Sequence, residues 1–146
     1  MILGVRHTGI VVRDLKKTGD FYRALGFVDN ISDLEKGDFI DQVTGLDNTE
    51  LEWVKLKSPD GFTLELLKYH SHPEEKAIIN QNSNQLGCSH IAFTVRDIEK
   101  TCELIKEMGG SVVNAPALTS NNKLRVAYCH DIEGVLMEIV EILENV

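Results

Sequence analysis

Short runs of β-branched and apolar residues alternate along the chain with stretches whose apolar positions recur at helical spacing. Residues 5–12 and 89–95 are compact and β-branched, which predicts strands. Asp14 and Asp97 follow them where an N-cap would stand, and Leu15 and Ile98 open helical runs. Ile98, Cys102, Ile105 and Met108 recur at helical spacing. Gly26 and Gly109 suit helix ends, because a left-handed terminal residue favours glycine. Three further strands are predicted in each half, at 28–31, 51–57 and 62–68, then at 112–115, 124–129 and 135–142. The segments Ser58-Pro59-Asp60-Gly61 and Asp131-Ile132-Glu133-Gly134 favour tight hairpins.

The two halves share more than a pattern. His7-Thr8-Gly9-Ile10-Val11-Val12-Arg13-Asp14-Leu15 lies over His90-Ile91-Ala92-Phe93-Thr94-Val95-Arg96-Asp97-Ile98, and Leu25-Gly26 matches Met108-Gly109. Pro59-Asp60-Gly61-Phe62-Thr63-Leu64-Glu65-Leu66 lies over Ile132-Glu133-Gly134-Val135-Leu136-Met137-Glu138-Ile139. Each half thus opens on a His and closes on a Glu, the signature of an internal repeat. The expected organisation is a first module over 1–70, a linker over 71–87 and a second module over 88–146. Residues 74–79, within the polar stretch 69–86, could form a helical turn. Residues 32–48 are an insertion that the second half lacks, where Phe39, Ile40, Val43 and Leu46 predict a short amphipathic helix over one end of the sheet.

Strand alternation assigns faces. His7, Gly9 and Val11 share one face, and His90, Ala92 and Thr94 share its counterpart. The opposite, more apolar faces should pack on the helices, and the small residues Gly9 and Ala92 leave room for a ligand beside the histidines. Glu65 and Glu138 stand inside the apolar runs Leu64-Glu65-Leu66-Leu67 and Leu136-Met137-Glu138-Ile139-Val140. A carboxylate buried without a partner is destabilising by several kcal/mol. A divalent cation held by His7, Glu65, His90 and Glu138 would neutralise both. Two neutral imidazoles and two carboxylates sum with it to zero charge. Mixed N and O ligands with two open positions suit octahedral Ni, Co, Fe or Mn better than a closed tetrahedral Zn site, with Zn still possible.

Other candidates read as structural. His70, His72 and His130 lie in loop-like surroundings and are expected to be solvated. Cys88, two residues before His90, is read as packing. Asp14 and Asp97 are read as caps, and Trp53, Tyr128 and Phe93 as core or pocket wall. Three cysteines without a C-x-x-C pair suggest neither a disulfide framework nor a zinc knuckle, but reduced, mostly buried thiols. With 15 basic and 23 acidic residues the formal net charge is -8, which argues against a nucleic-acid or anionic-membrane surface. No charged leader with an apolar core is visible and no apolar run is long enough to span a bilayer, so a cytoplasmic location is expected.

At these residues the chain resembles the vicinal-oxygen-chelate superfamily. That group includes glyoxalase I, methylmalonyl-CoA epimerase, extradiol dioxygenases, and the fosfomycin and bleomycin resistance proteins. The resemblance rests on the opening segment around His7, on Asp20-Phe21-Tyr22-Arg23-Ala24-Leu25-Gly26-Phe27, on the segment ending at Glu65, and on their second-half equivalents. It implies an α+β fold of two paired βαβββ modules forming a U-shaped mixed sheet around a metal held by His7, Glu65, His90 and Glu138. Glu65 gives a His-Glu-His-Glu set, as in bacterial glyoxalase I, where the epimerases typically carry Gln. Val11 stands where glyoxalase I has an Arg for the glutathione carboxylate, and the linker and insertion look more like the epimerase layout. The implied activity is that of a lyase or isomerase. It would move a proton next to a carbonyl of a small 2-oxo, hemithioacetal or thioester substrate, with Glu138 as the base and Glu65 as its partner. An epimerase-type racemase, an Fe(II) extradiol dioxygenase and a non-catalytic binding protein are the alternatives. A homodimer is expected.

Overall fold

The computed structural model describes residues 1–76 and 81–143, and the chain divides into two compact units, residues 1–76 and 77–146. The first unit runs β1 (Thr8–Val11), α1 (Leu15–Ala24), β2 (Val28–Lys36), α2 (Asp38–Thr44), β3 (Glu50–Lys57) and β4 (Thr63–Tyr69). Its sheet has the order β1-β4-β3-β2, with β1 and β4 parallel and the other pairs antiparallel. The second unit runs β5 (Ile91–Val95), α3 (Ile98–Glu107), β6 (Ser111–Val112), β7 (Ala117–Leu118), β8 (Leu124–His130) and β9 (Leu136–Ile142). Here the order is β5-β9-β8-β6, β5 and β9 are parallel, and β7 also pairs with β8. The fold is therefore mixed α+β, with one mixed sheet in each unit.

The two long helices begin and end alike. Asp14 Oδ1 accepts the Lys17 backbone N–H at 3.0 Å, and Asp97 Oδ1 accepts that of Lys100 at 3.0 Å. Each carboxylate satisfies a donor that the first helical turn leaves unpaired. At the other end Phe27 N donates to Tyr22 O and Gly26 N to Arg23 O. Gly110 N to Ile105 O and Gly109 N to Lys106 O repeat the arrangement. These are Schellman closures, which require the positive φ of Gly26 and Gly109, 103° and 92°.

Both helices pack on the sheet face opposite the glycine and alanine of the first strands, as alternation predicts. In the first unit Phe21 and Tyr22 of α1 are fully buried with Ile10, Leu56, Leu64 and Leu66. In the second, Ile98, Cys102 and Ile105 of α3 are buried with Ala127, Cys129, Met137 and Ile139.

Several elements differ from the sequence expectation. The strand expected at 28–31 continues to Lys36, with a register shift between Asp29 and Ile31. It is an edge strand of mostly exposed residues, so its polar sequence carries no alternation to reveal it. Helix α2 forms inside the insertion, but among its expected apolar contacts Ile40 is buried while Phe39 and Val43 are exposed. The strand expected at 112–115 is instead split into β6 and β7 around Pro116, which has no N–H to give a ladder. The first strands of both units begin later than expected, so His7 and His90 stand immediately before β1 and β5. Tyr69, expected in the linker stretch, closes β4. Of the helical turn expected at 74–79, residues 74–76 are irregular and 77–79 lie outside the described residues.

Candidate metal centre

One register rule builds a His–Glu pair in each unit. In the parallel ladder of β1 and β4, Gly9 is the partner of Glu65; in that of β5 and β9, Ala92 is the partner of Glu138. Each histidine stands two residues before that partner, which puts it on the glutamate's side of the sheet. His7 Nε2 lies 3.0 Å from Glu65 Oε2, and His90 Nε2 lies 2.7 Å from Glu138 Oε2. The glutamate side chains are 11% and 24% exposed, so both carboxylates are substantially withdrawn from water. Within neither unit do the described residues gather a third His, Cys, Asp or Glu beside the pair to make a metal-holding cluster.

The donor chemistry fits a divalent cation. Ser89 Oγ donates to Ser83 O at 2.8 Å, so towards His90 Nδ1, at 3.1 Å, it acts as acceptor. That network places the Nδ1 proton on His90 and turns Nε2 towards Glu138, the orientation an outer hydrogen bond gives a metal-ligating imidazole. Carboxylate oxygen beside imidazole nitrogen suits a first-row divalent ion.

The neighbouring strands set the two pairs apart. Lys55 is the cross-strand partner of Glu65, and Tyr128 that of Glu138. Lys55 Nζ lies 3.2 Å from Glu65 Oε1 and 4.3 Å from the centroid of the Trp53 ring. Tyr128 instead meets His90 edge to face, with ring centroids 5.2 Å apart. The expectation that buried Glu65 needs a metal for charge balance is thus corrected, since Lys55 supplies a counter-charge. Lys55 was missed in the sequence although a signal exists: Lys55 precedes Glu65, and Tyr128 precedes Glu138, by the same interval.

His130 and Cys88 also depart from expectation. His130, expected to be solvated, is buried at the end of β8, where Nδ1 meets Ser111 Oγ at 3.1 Å and Nε2 meets Gln81 O at 2.9 Å. It holds Gln81 beside a cleft of about 380 Å³ lined by Gln81, Ser111, Val113, Tyr128, His130 and Leu136. Tyr128 is common to the cleft and the His90 pair. Cys88, expected to pack, is exposed, whereas Cys102 and Cys129 are buried. His70 keeps partial exposure and meets Glu52 Oε2 at 2.8 Å.

A twice-built module of mixed sheet and helix, with a His–Glu pair at one register in each copy, defines the class of protein. The chain belongs to the Glyoxalase/Bleomycin resistance protein/Dioxygenase superfamily, whose pattern matches residues 6–128. A probable lactoylglutathione lyase of Synechocystis is 32% identical over 92 residues, covering 57% of this chain and 70% of that protein. One of Vibrio cholerae is 28% identical over 137 residues, covering 82% and 91%. The crystal structure of a glyoxalase family protein from Bacillus cereus superimposes with a TM-score of 0.90 at 26% identity, covering 99% of this chain and 97% of that one. The Listeria monocytogenes fosfomycin resistance protein FosX, crystallised with Mn(II) and sulfate, shares the fold with a TM-score of 0.61 at 18% identity, covering 98% and 95%. No helix among the described residues is long and apolar enough to cross a membrane.

Proposed function

We propose that the chain is a divalent-metal-dependent lyase or isomerase that moves a proton next to a carbonyl. On this reading His7, Glu65, His90 and Glu138 share one Ni, Co, Fe, Mn or Zn ion, and the substrate is a small 2-oxo compound, hemithioacetal or thioester. The observation that carries the reading is the construction of one His–Glu pair at the same register in both units, at 3.0 and 2.7 Å. The names of the relatives, probable lactoylglutathione lyases, support the reaction class. When bound, the ion would act as a Lewis acid on substrate oxygens and stabilise charge developing next to the carbonyl. His7 and His90 would hold it through Nε2, with Ser89 fixing the His90 ring. Glu138 would take the proton from the substrate carbon at a carboxylate oxygen and return it. The cleft beside Tyr128 would seat the rest of the substrate. The active form would be a homodimer.

The test is metal analysis of untreated protein, followed by Mn²⁺ titration of the stripped full-length chain and of His7→Ala and His90→Ala. One ion per chain, weakened by either substitution, is expected. Two ions per chain, or none, would refute the shared site. Loaded protein should then turn over a hemithioacetal or a 2-methyl acyl-CoA thioester without oxygen uptake; oxygen consumption would overturn the proton-transfer chemistry.

A further inference from the structure

The difference between Lys55 and Tyr128 breaks the symmetry of the repeat at the glutamates. Both residues occupy the position directly across the hairpin from a glutamate, on the same side of the sheet. In the first unit this position carries a cation whose side chain is only 21% exposed. The Trp53 ring lies against its ammonium, an arrangement that attracts a cation to the aromatic face. Lys55 thereby engages Oε1 of Glu65 while His7 meets Oε2. The two oxygens of Glu65 have separate partners, one facing the histidine and one facing the lysine.

We propose that Lys55 is a positioning residue that holds Glu65 as a one-oxygen metal ligand. It does so by fixing Oε1 so that Oε2 stays turned towards His7. This rests on the metal-dependent reading above. Two physical effects of Lys55 on a divalent ion oppose each other, which makes the sign of the result informative. As a positive charge it repels the ion, so its removal should tighten binding if Coulomb repulsion dominates. As an anchor it pre-orients the ligand, and loss of such an outer partner typically weakens metal binding about 10- to 100-fold. The geometry favours the anchor, because Lys55 contacts Glu65 directly and on the oxygen that does not face His7.

The experiment is Mn²⁺ binding to the stripped full-length chain, read by the free-ion electron paramagnetic resonance signal, with a thermal melt on each variant. Lys55→Met should weaken binding about 10- to 100-fold, and Lys55→Arg, which keeps a donor and a charge, should restore most of it. Trp53→Leu should weaken it less, since it loosens Lys55 without removing it. Lys55→Gln is read beside the methionine variant, so the result does not depend on one protein folding. Unchanged or tighter binding in Lys55→Met and Lys55→Gln would overturn the positioning role while leaving the metal reading intact. Failure of the unsubstituted chain to bind Mn²⁺ would bring down both.

Discussion

Gly9 stands directly beside Glu65 across the parallel ladder of β1 and β4, and a β-carbon there would come within 3.0 Å of Leu67 Cδ1 and 3.8 Å of Glu65 Oε2. The second unit carries Ala92 at the same register, beside Glu138. The backbone at Gly9 does not demand glycine, since its φ is not in the left-handed region. What limits the position is the tip of Leu67, while the Glu65 carboxylate stands at ordinary contact distance.

Gly9→Ala should therefore be nearly neutral. The tip of Leu67 can rotate away, and the substitution narrows the unfolded ensemble, an effect of about 0.4–1 kcal/mol where no strain opposes it. Gly9→Val should destabilise by about 1–3 kcal/mol as an overpacked site, and should lower Mn²⁺ affinity because its branches reach towards Glu65. Urea unfolding and metal titration on the same two variants check this. Equal metal affinity in both would show that added bulk at this position does not disturb Glu65.

The internal repeat makes the two His–Glu pairs legible in the sequence. His7, Glu65, His90 and Glu138 were visible because the same residue type recurs at the same place in both halves, and the caps Asp14 and Asp97 because each opens an apolar helical run. Lys55 and His130 were not, because their roles come from a neighbouring strand and from a distant loop, and a single strand's sequence carries neither. The continuation of β2 beyond Ile31 is hidden for a related reason: its residues are largely exposed, so no burial imposes a pattern on them. Cys88 is read as packing because an apolar-looking thiol just before a β-branched strand resembles a core residue in sequence, whereas the strand it precedes is itself only partly buried.

Glu138 should be separable from its neighbours by function. Its Oε2 meets His90, and no lysine stands across the hairpin from it. Glu138→Gln keeps an oxygen for a metal but cannot accept a proton. We expect substantial Mn²⁺ binding to persist while exchange of solvent deuterium into a bound substrate falls about 10²- to 10⁴-fold, the usual contribution of a positioned base. Mass spectrometry of recovered substrate reads the outcome. Undiminished exchange would remove Glu138 from the role of base.

The thiols should divide two to one. Burial pushes the Cys129 thiol up to about 12 and raises that of Cys102, so both stay protonated and unreactive near neutrality. Cys88 is exposed. Native protein at pH 8 should release one equivalent of chromophore from a disulfide reagent rapidly, and three after unfolding. The raised Cys129 value also fixes a sign for stability. The unfolded thiol ionises near the ordinary cysteine value while the folded one does not, so the contribution is complete below about pH 8.5 and is lost as pH rises towards about 12. Cys129→Ala should make alkaline unfolding less steep, even though it lowers stability at neutral pH by leaving a small void.

The helix caps give the opposite sign at the acid end. The Lys17 backbone N–H, hydrogen-bonded to its carboxylate, holds Asp14 below the usual carboxylate range. Asp97 is held down by the Lys100 side chain and then by the Lys100 backbone N–H. A depressed folded value means that the unfolded state takes up protons first, so the caps' contribution is present above about pH 4 and is lost as pH falls below it. Asp14→Ala and Asp97→Ala should each lower Tm by a few degrees at pH 7, and the difference from the unsubstituted chain should shrink at pH 3. The asparagine variants should recover much of the pH 7 loss, because an amide oxygen still accepts the N–H, yet show no comparable acid dependence. If the aspartate and asparagine proteins lost stability alike between pH 5 and pH 3, ionisation of the caps would have no part in acid sensitivity. The loss would then have to come from other carboxylates of this acidic chain, Glu99 in its ion pair with Arg125 among them.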